Sequence, residues 1–301
     1  MKIAISGATG FVGANLIDMA LKSGHSVRAL TRRPQPERPG VEWILGSIDP
    51  AENLDALVAG ADAVIHVAGA INAPDRASFA ACNIDGTSAM VAAATDAGIS
   101  RFIHVSSLAA REPALSDYGW SKAESERRVE GSPLAWTIVR PPAIYGAGDR
   151  EMLELFRMAA RGVVLLPPKG RLSLIAVSDL CRLLLSCATG EEGLRKIYEP
   201  DDGQVRGYDH RDFARLLGAA VGRRIVPVPV PRLILGGASL IDRLFRGGKA
   251  KLSADRVRYF CHPDWVCRRS MAPPVRLWQP EVPAAPGLKA TAEAYRRGGL
   301  L

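Results

Sequence analysis

No apolar stretch among the 301 residues reaches the about 18 needed to cross a bilayer. The opening residues MKIAISGATG do not make a signal peptide either. One Lys precedes a short β-branched strand, and a Gly-rich turn follows at once where an apolar region and a cleavage site would be needed. A cytoplasmic protein is expected. Cysteine is scarce and odd in number: Cys82, Cys181, Cys187, Cys261 and Cys267. Such a scattered set suits a reducing compartment and argues against a disulfide framework. Cys261, His262 and Cys267 lie close together, but no second ligand pair is near, so no metal is expected. Internal repeats and low-complexity segments are absent as well.

The composition is that of a globular domain with a sizeable core: 48% apolar and 23% charged. The net charge is +8, and its excess gathers late, in Arg223, Arg224, Arg232, Arg243, Arg246, Lys249, Lys251, Arg256 and Arg258. A basic balance permits nucleic acid, anionic membrane or phosphate-bearing ligands and does not choose between them.

Strands and helices alternate through the first half. Lys2–Ser6, Ser26–Leu30, Glu42–Leu45, Ala61–His66, Phe102–Ser106 and Trp136–Arg140 read as strands. Phe11–Ser23, a long Ala-rich stretch Ala77–Ala97, and Tyr118–Glu130 read as helices. Apolar strands alternating with helices predict an α/β fold with a doubly wound parallel sheet, buried on both faces. After about Tyr145, Pro, Gly and Arg become common and the alternation loosens. This predicts a dinucleotide-binding Rossmann domain over 1–150 and a smaller substrate-binding region over 151–301. Within the latter, 172–200 (Leu172–Val177 and Ile197–Pro200) is expected to return to the main sheet.

Gly7-Ala8-Thr9-Gly10-Phe11-Val12-Gly13 follows the first strand and opens a helix. Gly7 permits a tight turn, Gly10 a close approach of backbone to a pyrophosphate, and Gly13 close packing of helix on strand. The helix N-terminus presents N–H groups to the phosphates. The second strand ends in Leu30-Thr31-Arg32-Arg33. An acidic residue there would bind the ribose of NAD, whereas Arg32 and Arg33 suit a 2′-phosphate, so NADP(H) is expected in preference to NAD(H).

Tyr118 and Lys122 stand one turn apart on one helix face, where a nearby ammonium favours the phenolate. Such a phenol can exchange a proton with a substrate oxygen. Ser106 and Ser107 follow a strand at its C-terminal edge, where ligands bind in open α/β sheets. A serine hydroxyl there can hold the same oxygen.

Taken together, these motifs resemble the short-chain dehydrogenase/reductase superfamily in its extended, epimerase/dehydratase-like branch. His66-Val67-Ala68-Gly69, Asn83-Ile84-Asp85-Gly86-Thr87, Arg140-Pro141-Pro142-Ala143-Ile144-Tyr145-Gly146 and Val177-Ser178-Asp179-Leu180 extend the likeness over most of the chain. The resemblance implies an oxidoreductase in which Tyr118 is the general acid/base. Lys122 would hold the nicotinamide ribose and Ser107 would orient the substrate oxygen. Gly7, Thr9, Gly10, Phe11 and Val12 would contact the cofactor phosphates, and Val67, Ala68 and Gly69 its ribose. Ser47 and Ile48 fall where the family contacts adenine, although an aspartate is commoner than Ser47. The backbone of Pro141, Ala143 and Ile144 would flank the nicotinamide. Asn83 is given no chemical role and reads as a helix-packing residue.

One departure stands out. Sugar-nucleotide epimerases carry a long loop, opening with a Tyr-Gly pair, between serine and tyrosine. Here Tyr118 follows Ser107 by eleven residues, and Leu108–Pro113 has no such pair. Sugar-nucleotide chemistry is therefore the secondary expectation. A regulator that keeps the fold without the chemistry is disfavoured by the complete Ser107, Tyr118 and Lys122 set. Within Pro231–Leu252, Leu233, Ile234, Leu240, Ile241, Leu244 and Phe245 recur on one helical face flanked by bases. That pattern fits a helix packed on a core, or one resting on an anionic membrane surface at the inner face of the cytoplasmic membrane. A like stretch followed by Leu252–Val257 occurs in relatives acting on sterols and other lipid alcohols. Arg258–Trp265 resembles, more narrowly, the lipid-ketone reductases of bacterial sphingolipid synthesis. The resemblance implies NADPH-dependent reduction of the 3-keto group of 3-oxo-ceramide or 3-ketosphinganine. The expected partner is a small, lipid-like molecule and not a nucleic acid.

Overall fold

The computed structural model describes residues 1–190, 192–237 and 254–301. They fall into two compact units. The first comprises Met1–Pro141, Leu180–Glu199 and Pro273–Gln279; the second comprises Pro142–Asp179, Pro200–Ala272 and Pro280–Leu301. Among the described residues no helix is long and apolar enough to cross a membrane.

The first unit is built on β1 (Lys2–Ser6), β2 (Ser26–Thr31), β3 (Val41–Leu45), β4 (Ala63–His66), β5 (Arg101–Val105) and β6 (Ala135–Val139), with a late strand added at the edge. Its helices include α1 (Phe11–Lys22), α2 (Leu54–Val58), α3 (Arg76–Phe79), α4 (Gly86–Asp96) and α5 (Asp117–Glu130). The second unit carries β7 (Ala143–Tyr145), α6 (Leu153–Ala160), β8 (Val163–Leu166), β9 (Arg171–Leu172) and β10 (Leu174–Ala176). Helix α7 (Val177–Thr189) leads back to β11 (Lys196–Tyr198), the late strand of the first unit. The second unit continues with β12 (Tyr208–Asp209), α8 (His210–Val221), β13 (Val226–Pro229), α9 (Ala254–Phe260), β14 (Asp264–Trp265) and α10 (Ala284–Arg297).

The order β11-β6-β5-β4-β1-β2-β3 makes a seven-stranded parallel sheet. The strands are the apolar runs expected of a sheet covered on both faces: β4 is wholly buried, and β1, β5 and β6 are buried after their first residue. The chain reverses direction across the sheet between β1 and β4, and that switch opens a crevice at their carboxyl ends. A core of Leu57, Val64, Met90, Phe102 and Ile138 lies within this unit. The second unit has a core of its own around Tyr145, Phe156, Leu217, Leu288 and Tyr295.

One expectation is refined and another corrected. The Ala77–Ala97 helix forms, over Arg76–Asp96, but not as a uniform α-helix. Its middle, Ala80–Asp85, is wound as a π-helix between α3 and α4. The polar Asn83 is turned into the protein there, and the wider winding accommodates it. The segment Leu172–Val177 does not join the main sheet. Its strand β10 pairs with β7 in the second unit, whereas β11 does pair with β6 in the large sheet. Of the candidate amphipathic stretch, residues 238–252 lie outside the described residues. Residues 232–237 are helical, and Leu233 and Ile234 are exposed.

The turn after β1 depends on absent side chains. Gly7 takes φ +67°, and a Cβ there would stand 2.6 Å from Ala68 N; at Gly13 it would stand 2.1 Å from Gly7 O. Gly13→Ala is expected to destabilise the protein by about 1–3 kcal/mol, because backbone must move to admit the methyl group. A drop in the thermal unfolding midpoint checks this. An unchanged midpoint would mean that the helix–strand contact is slacker than described.

Candidate active site

At the crevice, Gly10 caps α1 without a side-chain hydrogen bond, and its own N–H donates to Gly7 O at 3.0 Å. The first-turn N–H groups of α1 are thus left without a capping side chain, which is the arrangement that receives a phosphate. The β1 and β4 termini meet here: Ala68 N donates to Ser6 Oγ at 3.3 Å. The uncapped start of α1 can receive a dinucleotide's phosphates, and the missing side chains at Gly7 and Gly13 let the turn lie close against Ala68 and against the helix. Arg32 and Arg33, at the end of β2, are exposed, and neither guanidinium pairs with a carboxylate among the described residues. Ser47 is engaged locally, donating to Asp49 O and accepting from Asp49 N. Ile48 is buried, packed where Gly86 leaves room.

Ser106 and Ser107 leave β5 for different partners. The Ser106 hydroxyl donates to Glu126 Oε1 at 2.5 Å. Ser107 opens a short 3₁₀ turn over Leu108–Arg111 and its hydroxyl reaches the phenol oxygen of Tyr118. That meeting depends on α5 starting close to this turn. Ser116 caps α5 by accepting from Gly119 N at 3.0 Å, and a Cβ on Gly119 would stand 2.7 Å from Ala109 O. Only glycine lets the first turn of α5 pack this tightly, which is why Tyr118 and Gly119 go together. The ring of Tyr118 also lies 6.1 Å from that of Phe79 on α3.

Lys122, the next residue on this face, is buried, and Nζ donates to Val105 O at 2.9 Å. Burial lowers its pKa to about 8, opposed by the carboxylate of Glu126 one turn further on. Burial likewise pushes the Tyr118 phenol up, and the Ser107 hydrogen bond opposes it only in part. This reverses the expected direction for Tyr118. Desolvation outweighs that hydrogen bond, so the phenol keeps its proton at neutral pH.

Several residues that sequence reasoning did not assign complete the site. Asn83 on the π-turn accepts from Ala70 N at 2.7 Å and donates to Ala70 O at 3.0 Å and to Ser121 Oγ at 2.8 Å. It ties the Gly69 loop to α5 beside Lys122. A Cβ on Gly69 would stand 3.2 Å from Asn83 Oδ1 and 3.7 Å from Lys122 Nζ. The signal was an amide in an otherwise Ala-rich helix. Behind Lys122, His66 and His104 stack at 5.4 Å on adjacent strands. Ser6 and Thr87 hold the first at 2.7 and 3.1 Å, and Ser125 holds the second at 3.0 Å. Burial, and then the Lys122 charge, take His66 down to about 3 and His104 well below its usual value. Both are neutral at any physiological pH. Beneath α5, Glu126 receives a bidentate pair from Arg140 at 2.9 and 2.6 Å. Glu199 stands between Arg140 and Arg111, 3.7 and 3.4 Å away.

The structure thus brings Ser107, Tyr118 and Lys122 together at the carboxyl end of β5, beside the Gly7 turn and the Val67–Gly69 loop. Pro141 belongs to this unit and accepts from Leu108 N at 3.1 Å. Ala143 and Ile144 lie in β7 of the second unit.

Residues 7–157 match the family model described as NAD(P)H-binding. The chain belongs to the extended short-chain dehydrogenase/reductase family. Over 99% of its length it is 37% identical to a ceramide reductase of Caulobacter vibrioides, 96% of which is covered. It is 26% identical to a UDP-glucose 4-epimerase of Vibrio cholerae over 97% of this chain and 95% of that one. The fold is shared with MoeE5, solved in complex with UDP-glucuronic acid and NAD. The TM-score is 0.76 and the identity 20%, over 99% of this chain and 100% of that one. The relatives are NAD(P)-dependent reductases, dehydrogenases and epimerases, and this chain is an NAD(P)-binding enzyme of the oxidoreductase type.

Lys122→Met should separate stability from chemistry. The folded pKa lies below the ordinary value of 10.5. Keeping Lys122 charged therefore costs stability below about pH 8, and the cost fades between about pH 8 and 10.5. The variant is expected to melt higher than the native protein at pH 7, with the difference shrinking towards pH 10, and to lose turnover. A lower midpoint at pH 7 would show that the ammonium is well compensated where it lies.

Proposed function

We propose that this protein is an NADPH-dependent reductase of a lipid-like ketone, the 3-keto group of 3-oxo-ceramide or 3-ketosphinganine in bacterial sphingolipid synthesis. The observation that carries the substrate is the 37% identity to a ceramide reductase along nearly the whole of both chains. The sugar-nucleotide alternative draws on the 26% identical epimerase. Against it stands the short link from Ser107 to Tyr118, folded as a single 3₁₀ turn and a capped helix start.

In this reading a nicotinamide cofactor held in the first unit would supply the hydride that the carbonyl carbon accepts. The Ser107 hydroxyl holds the carbonyl oxygen, and Tyr118 gives its proton to that oxygen, so the ketone becomes an alcohol. A phenol raised by burial is loaded for this step. Lys122 would hold the nicotinamide ribose and stabilise the phenolate left behind, which would regain a proton from solvent. Gly7, Thr9, Gly10, Phe11 and Val12 cradle the phosphates, and Val67, Ala68 and Gly69 line the ribose. Ser47 and Ile48 would border the adenine, and Pro141 the nicotinamide. The unpaired Arg32 and Arg33 clamp the 2′-phosphate by charge-assisted hydrogen bonds. The enzyme works in the cytoplasm on a small lipid substrate, with a peripheral contact to an anionic membrane.

Purified protein with NADPH and 3-oxo-ceramide or 3-ketosphinganine in detergent should form the corresponding alcohol. Turnover of a UDP-sugar, with neither lipid ketone consumed, would overturn the assignment. Tyr118→Phe should cut turnover by at least about 100-fold while NADPH still binds; near-native turnover would exclude Tyr118 as the donor. NADPH should bind more tightly than NADH, and Arg32→Asp with Arg33→Ala should reverse the order. Equal native affinities would remove the arginines from cofactor recognition.

A further inference from the structure

In the second unit, β8 and β13 form a two-stranded parallel ribbon, with Val226 opposite Val163 and Val228 opposite Leu165. Partners in register point to the same face. Val164 and Leu166 face inward, into a core shared with Ala159, Leu217 and Val221. Val163, Leu165, Val226 and Val228 face outward and are uncovered: Leu165 is 50% and Val226 61% exposed. The chain leaves β13 into the helical residues 232–237, where Leu233 is 90% exposed. Bases stand at both ends of this aliphatic face. Arg161, Arg223 and Arg224 precede the two strands, and Lys169 and Arg232 follow them; all five are exposed. None of the five pairs with a carboxylate among the described residues. Neither 161–178 nor 222–237 contains an Asp or Glu.

We infer that this ribbon face is a docking surface for an anionic lipid bilayer. Four branched aliphatic side chains, with Leu233 beside them, would enter the acyl boundary, and the five cations would meet lipid phosphates at its rim. The free edge of β13 argues against a protein strand as the occupant. Val226 and Val230 turn their N–H groups to Gly162 O and Leu166 O, at 2.9 and 2.8 Å. The alternate positions, which face away, are Pro227 and Pro229 and have no N–H to offer. The exposed face likewise carries no hydrogen-bonding side chain. A surface of aliphatic groups rimmed by cations, blocked at its edge, asks nothing directional of its partner, and a bilayer meets that demand. What docking is for rests on the lipid-ketone reading above; the surface itself does not.

The test uses the whole protein without substrate, in co-sedimentation with vesicles of phosphatidylcholine, with and without phosphatidylglycerol. Binding is expected to the phosphatidylglycerol vesicles and to fall with salt. The exposed-turn variant Arg223→Ser/Arg224→Ser/Arg232→Ser should weaken it by about 100-fold. Leu165→Asn/Val226→Asn should weaken it by about tenfold. Thermal midpoints show whether each variant is folded, and the arginine variant keeps the test valid if the other is not. Native protein left in the supernatant with both vesicle types would overturn the inference, as would variants that bind like the native protein. A Leu165→Asn/Val226→Asn variant that changes the oligomeric mass would assign the face to a second copy. Retention on immobilised polyglutamate without vesicle binding would assign it to an acidic protein. Either result overturns the bilayer. Turnover of lipid ketone in detergent is measured alongside: its loss bears on the substrate reading, and its persistence without vesicle binding bears on the surface alone.

Discussion

Lys122 donates to the Val105 carbonyl from inside the protein, and a buried ammonium is costly unless its surroundings are arranged for it. The neighbouring residues read as those arrangements. Gly69 brings no side chain against Nζ. The two imidazoles behind it are neutral, so they add no second positive charge. Glu126, one turn along α5, is the main counter-charge that raises the lysine. The ammonium is left poised with a pKa of about 8, close enough to neutrality for its charge to respond to what binds beside it.

The same carboxylate is also what fastens α5. Glu126 takes a hydrogen bond from Ser106, at the end of β5, and two from Arg140, just past β6. A helix carrying two proton-handling groups is thereby tied to the carboxyl ends of β5 and β6. Charge-assisted, bidentate bonds hold geometry as well as supplying energy. Such a network is weak as net stabilisation, since removing both partners of a buried pair is often tolerated. It is strong as a constraint, because removing one partner strands the other. The division of labour between adjacent serines follows from it. Ser106 is spent on the helix, so Ser107 alone is free to turn towards the phenol.

Much of this was legible in the residues. Lys2–Ser6, Phe102–Ser106 and Trp136–Arg140 announced themselves, the last two one residue late at each end, because strands covered on both faces are apolar throughout. The Gly7–Gly13 turn did so because a backbone approach closer than a methyl group admits only glycine. Tyr118 and Lys122 showed in their i, i+4 spacing, whereas Ser107 was singled out from Ser106 by the family resemblance. Other features depended on tertiary structure. The π-turn at Ala80–Asp85 exists because Asn83 finds Ala70 and Ser121, partners 13 and 38 residues away that no local pattern encodes. Leu174–Ala176 is three residues long, too short to declare which neighbour it will join, and it pairs with Ala143–Tyr145. The direction of the Tyr118 shift was missed for a related reason. The i, i+4 spacing displays a neighbouring lysine but not the burial that raises the phenol.

Fold and substrate separate for a physical reason. A parallel sheet with a glycine turn, a buried lysine and a phenol beside a serine would, with a nicotinamide cofactor to exchange the hydride, serve proton transfer at any suitably placed carbonyl or alcohol. A TM-score of 0.76 with a sugar-nucleotide protein at 20% identity therefore shows the shared scaffold and says nothing of the substrate. Discrimination has to come from parts that the chemistry does not constrain. One is the link from Ser107 to Tyr118, where a 3₁₀ turn and Gly119 draw α5 tight and leave no length for an extra wall. Another is the second unit, whose aliphatic, cation-rimmed ribbon has no role in proton or hydride transfer. Selection on catalysis leaves both free to vary, and they are where a chain with a common catalytic core can become specific.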